Sequence, residues 1–102
     1  MSSRAIIGYE NPDGKIQSIY VHYDGYPEGA GEILKDKFNT ETKAKKLTAD
    51  SDLRSLHCME QYESKSEILD GQEFLDWSHT AYLYLWKNNK WNFFDRNQFI
   101  SL

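Results

Sequence analysis

Residues 4–23 read R-A-I-I-G-Y-E-N-P-D-G-K-I-Q-S-I-Y-V-H-Y, and this stretch decides the fold. Apolar residues alternate on both sides of N-P-D-G. Pro12 suits position i+1 of a type I turn, and Gly14 supplies the left-handed residue that follows it. The result is a three-residue hairpin loop with a bulge. That loop pairs Asn11 with Lys15, hence Tyr9 with Gln17, Ile7 with Ile19 and Ala5 with Val21. One face then carries Ala5, Ile7, Ile19, Val21 and Tyr23 without a break. The other sets Ile6 against Tyr20 and Arg4 against His22. A one-residue slip would turn the aliphatic face to water, so the register is well determined.

Beyond the hairpin, residues 20–31 read Y-V-H-Y-D-G-Y-P-E-G-A-G, an aromatic strand running into a turn. Ala30, Ile33, Leu34, Lys37 and Phe38 follow at helical spacing and predict a helix over about 29–39, entered through Pro27 and Gly29. Thr40 reads as the N-cap of a second helix, about 41–48, with Ala44 and Leu47 on its inner face. Lys43, Lys45 and Lys46 form a solvated basic face there. Residues 49–72 have weak periodicity: Leu53, Leu56, Met59 and Tyr62 recur at threes, weakly helical, and 64–71 reads as loop. Glu73 to Trp77 reads as a helical turn or a strand entry. The end is plain again. Residues 80–87 and 90–95 flank Asn88-Asn89, the signature of a two-residue hairpin. Its register pairs Lys87 with Lys90, Trp86 with Trp91, Tyr84 with Phe93 and Leu83 with Phe94. One face is aromatic (Tyr82, Tyr84, Trp86, Trp91, Phe93) and the other aliphatic. Either both faces are covered, or the aromatic one is a binding platform.

The expected architecture is α+β: an antiparallel sheet from two hairpins, 4–10/15–23 and 80–87/90–95, with one or two short helices packed on it. A chain of 102 residues with no internal repeat is one domain. Hydrophobic content is 39% and aromatic content 15%, so a few large rings must build the core.

Composition narrows the function classes. Net charge is −4, from sixteen acidic and twelve basic residues, which disfavours direct nucleic-acid binding. No apolar run approaches the length of a membrane span, and Met1-Ser2-Ser3-Arg4 lacks a signal-peptide core. The single cysteine, Cys58, excludes an internal disulfide and a multi-cysteine zinc site, and suits a reducing cytosol. As a free thiol it is expected to behave as a small buried hydrophobe. His22, His57 and His79 lack metal-ligand spacing, and Asp24, Glu28 and Glu32 lack a calcium-loop pattern, so no metal or other cofactor is expected.

The candidate site is the strand end and its turn. His22 and Asp24 lie two apart and share a side if the strand continues, and the hairpin register brings Arg4 opposite His22. An Arg–His–Asp cluster there can bind an anion such as a phosphate. It can equally be a structural network in which Asp24 caps the loop. Glu28 suits the dipole of the following helix. Tyr20, Tyr23 and Tyr26 suit a protein contact. A hydrolase built on His22 and Asp24 needs a nucleophile, and none lies in a strained elbow motif. Cys58 beside His57 does not supply one, because adjacent side chains point apart.

The pattern Ser3, Arg4, Asn11, Asp13, Gly14, Tyr20, His22, Asp24, Gly25, Tyr26 and Pro27 resembles a small family of uncharacterised bacteriophage and prophage proteins. Residues 82–86 and Trp91 resemble that family's closing hairpin, and Tyr23 stands where tryptophan is expected. The resemblance implies a phage origin and no particular reaction. From it we expect a non-enzymatic accessory protein of the host cytoplasm that binds and inhibits a host protein, in anti-defence (such as an anti-CRISPR) or host takeover. The binding residues would be Arg4, Tyr20, His22, Asp24, Tyr26 and Glu28, with Tyr82, Tyr84, Trp86 and Trp91 as a second surface. Two alternatives stand beside it: a nucleotide-sequestering protein that uses the 20–29 loop, and a small hydrolase. A second copy of the chain is a further partner to test.

Overall fold

The computed structural model describes residues 3–102. The first hairpin is strand β1 (Ala5–Glu10) and strand β2 (Ile16–Val21), in the expected register. Asn11 N–H donates to the Lys15 carbonyl at 2.8 Å, and Gly14 adopts φ 87°. The chain then passes through a π-type turn, Pro27–Gly31, into helix α1 (Glu32–Lys37), so the expected helix is real but its first turn is wide. Helix α2 (Glu41–Thr48) starts where expected, with the Thr40 hydroxyl accepting the Lys43 N–H.

The middle of the chain departs from the expected helix and loop. It forms three short strands, β3 (Ser51–Leu53), β4 (Gln61–Lys65) and β5 (Glu67–Leu69), then helix α3 (Gly71–Asp76) and a 3-10 turn, Trp77–His79. Asp70 and Glu73 form a reciprocal capping box at the start of α3. The second hairpin is β6 (Tyr82–Lys87) and β7 (Lys90–Phe94), and β8 (Phe99–Ser101) adds one more strand. Asn88 and Asn89 both have positive φ, as a type I′ turn requires.

All eight strands join one sheet in the order β4-β3-β2-β1-β6-β7-β8, with β5 pairing β2 beside β3. The sheet is mixed, which corrects the expected antiparallel one. The two hairpins meet through a parallel pair, β1 with β6, and β3 runs parallel to β2. A long crossover separates β1 from β6, so the helices between them fall on both faces of the sheet. Helices α1 and α2 cover one face, burying Ala30, Leu34, Ala44 and Leu47 against Ile7, Ile19, Tyr84 and Trp86. Helix α3 covers the other, with Phe74 fully buried on Ile6, Ile16, Leu83 and Leu85. Gly8 makes room for it. A Cβ there would sit 2.5 Å from Ile16 Cγ2 and 2.9 Å from Phe74 Cε1.

Candidate functional site

β2 continues the alternation of the hairpin, so Tyr20 and His22 emerge on the α3 face. The Tyr20 hydroxyl and His22 Nδ1 lie 2.7 Å apart, one donating and one accepting according to the imidazole tautomer. The outer edge of β2 is divided between two partners. β5 pairs with residues 16–18 and β3 meets Val21, which leaves the Tyr20 N–H in the gap. Asp52 fills that gap, its carboxylate accepting the N–H at 2.8 Å in place of a strand carbonyl. Tyr20 is thereby held at both its backbone and its ring.

From Tyr20 the rings run on as a ribbon. Trp77, in the turn after α3, lies 6.2 Å from Tyr20 between ring centroids. His22 lies 5.8 Å from Tyr20, 4.4 Å from Tyr23 and 6.4 Å from Tyr62 of β4. The Arg54 guanidinium sits 5.5 Å from the Tyr23 ring centroid, and Glu60 pairs with it at 3.3 Å. Tyr23 is 40% exposed and Trp77 39%. A groove of about 550 Å³ runs along the Trp77 end, with Arg4, Asp52, Glu67 and Leu69 among its walls.

The expected Arg4–His22–Asp24 cluster is not assembled. Among the described residues no hydrogen bond or ion pair joins any two of the three. The reason lies in the backbone. β2 ends at Val21, the His22 N–H donates to Leu53, and Asp24 adopts φ 58°, so the strand alternation stops before it reaches Asp24. The turn instead docks on the chain start. Gly25 N–H donates to the Ser3 carbonyl at 2.6 Å, and a Cβ on Gly25 would lie 2.6 Å from that same oxygen. Tyr26 packs its ring over Gly29, and Glu28 is exposed at the start of the π-type turn. Neither joins the ribbon. His22 faces the Tyr20 phenol, and among the described residues no hydrogen bond joins it to Asp24 or to a serine or cysteine.

The second expected surface is core. Tyr84, Trp86 and Trp91 are buried beneath α1 and α2, because β6 lies inside the sheet between β1 and β7. The Tyr84 hydroxyl donates to the Gly25 carbonyl at 2.7 Å, and burial pushes its phenol pKa far up. Trp91 Nε1 donates to the Phe38 carbonyl. Of that set only Tyr82, 38% exposed, reaches the surface.

Cys58 is exposed, contrary to expectation. It sits in the loop between β3 and β4, where the Ser55 hydroxyl donates to its sulfur at 3.3 Å and lowers the thiol pKa. Among the described residues no three His, Cys, Asp or Glu side chains gather as a metal set, and no helix is long and apolar enough to cross a membrane.

Tyr62, Trp77 and Arg54 escaped the sequence reading. They come from the poorly periodic part of the chain: the pairing of β3 and β4 brings Tyr62 to His22 and Arg54 to Tyr23, and the turn after α3 brings Trp77 to Tyr20. No family model, curated protein or solved structure matches the chain.

Proposed function

We propose that this chain is a protein-binding module, and that it acts as a phage accessory protein which blocks a host protein by docking on it in the host cytoplasm. The observation that supports the reading is the ribbon Trp77–Tyr20–His22, which branches at His22 to Tyr23 and Tyr62, with Arg54 over Tyr23. Tryptophan, tyrosine and arginine are the residues that carry most binding energy at protein interfaces, and rigid rings lose little conformational entropy when a partner covers them. The contacts within the ribbon hold the rings in place before a partner arrives. The phage assignment rests on the resemblance of the first third of the sequence.

Tagged protein should recover one host protein in stoichiometric amount from host lysate. The double variant Tyr23→Ala/Trp77→Ala changes two exposed side chains and should fold normally. It should lose that partner by more than about tenfold in affinity, as truncating two anchor residues does. Recovery of no partner, or equal recovery by the variant, overturns the reading.

A further inference from the structure

A second groove, of about 440 Å³, opens where β1 and β6 begin and β7 ends. Its size is that of a small-ligand cleft. Arg4 and Arg96 both line it. Neither has an ion-pair partner among the described residues, where the ion pairs are Arg54–Glu60 and Lys87–Glu10. Two arginines thus share the wall of one groove in a chain of net charge −4, and Arg4 also borders the groove beside Trp77. Thr80 and His79 also line the walls. The one carboxylate there is Asp95, whose Oδ1 is engaged by the N–H groups of Asn97 and Gln98 at 3.0 and 2.9 Å. Flat apolar surface completes the groove: Tyr82 and Phe93, with centroids 6.1 Å apart, line it together.

We infer that this groove binds a small phosphate monoester carried on a flat ring, of the nucleoside monophosphate class. The guanidiniums of Arg4 and Arg96 take the phosphate oxygens, since a planar fork of donors matches that geometry. The half-exposed Tyr82 ring offers a face on which a base stacks. The site shares Arg4 with the anion cluster expected from the sequence, but His22 and Asp24 do not line it. Arg96 and Tyr82 take no part in the aromatic ribbon, so this inference and the docking reading fail separately.

The test is calorimetric titration of the intact chain with a purine and a pyrimidine nucleoside monophosphate, with the matching nucleosides and inorganic phosphate as separate arms. A monophosphate should bind more tightly than either its nucleoside or phosphate alone. Arg96→Gln, an exposed substitution, should weaken it about tenfold to a hundredfold, the usual loss for a charge-assisted pair. Lys45→Gln on α2 removes the same charge elsewhere and should change nothing. Absence of binding at millimolar ligand, binding no tighter than nucleoside or phosphate alone, or full affinity in Arg96→Gln overturns the inference. A partner lost by Tyr23→Ala/Trp77→Ala while nucleotide affinity stays unchanged separates the two surfaces.

Discussion

At the residue scale, Tyr84 links the sheet to the turn that shapes the strand end. Its ring is fully buried and its hydroxyl holds the Gly25 carbonyl, so ionising it in place would put a charge in the core. The folded phenol pKa is raised well above the ordinary value of 10.0. A raised pKa means that the folded state keeps its proton where the unfolded chain has already lost it. The stabilisation is therefore complete below pH 10.0 and is lost as pH climbs beyond it. Tyr9 acts in the same direction, because the Glu41 carboxylate that accepts its hydroxyl raises its pKa. Thermal melts should accordingly fall steeply on the alkaline side. Tyr84→Phe should lose about 1 kcal/mol at neutral pH, the worth of one neutral hydrogen bond, and show a flatter alkaline limb than wild type. Equal alkaline limbs would contradict this account.

At the element scale, α3 depends on one missing side chain. Phe74 packs into the space that a Cβ on Gly8 would enter. Gly8→Ala should cost about 1–3 kcal/mol by overpacking. Phe74→Leu should return part of that loss in the double variant, since contacting residues are not additive. Chemical denaturation of the four proteins measures both. The same elements show what could be read from the chain. Both hairpins were legible, since N-P-D-G and Asn88-Asn89 fix their registers locally. Helix α2 was legible through Thr40. Strands β3 and β5 have three residues each, too few for a period to show, and their places are set by β2. Helix α3 carries only Phe74 and Leu75 as apolar residues, and its readable signal was the Asp70–Glu73 capping box. At the site, alternation was enough to place Tyr20 and His22 together. It failed at Asp24, a left-handed residue beyond the end of β2 at Val21, and it could not show that a parallel β1–β6 pair would bury Tyr84, Trp86 and Trp91.

On the scale of the whole molecule, the sheet is assembled out of order. β1 is its central strand, and its two neighbours are β2, a short turn away, and β6, which pairs Tyr82 with Ala5 from the far part of the chain. Distant parallel pairing makes folding slow, because loop closure must be met before the contact stabilises anything. Stopped-flow refolding followed by tryptophan fluorescence should show Trp86 and Trp91 becoming buried in the slowest resolved phase, on a timescale of about milliseconds to seconds. Burial of both within the dead time would refute this order. During synthesis, the strand at the heart of the sheet leaves the ribosome well before β6 and must wait, one flank bare, until β6 follows it. Until β6 emerges the nascent chain therefore carries an unsatisfied ladder of N–H and C=O groups beside Ile6 and Ile7, which makes it a client for chaperones that hold extended apolar segments.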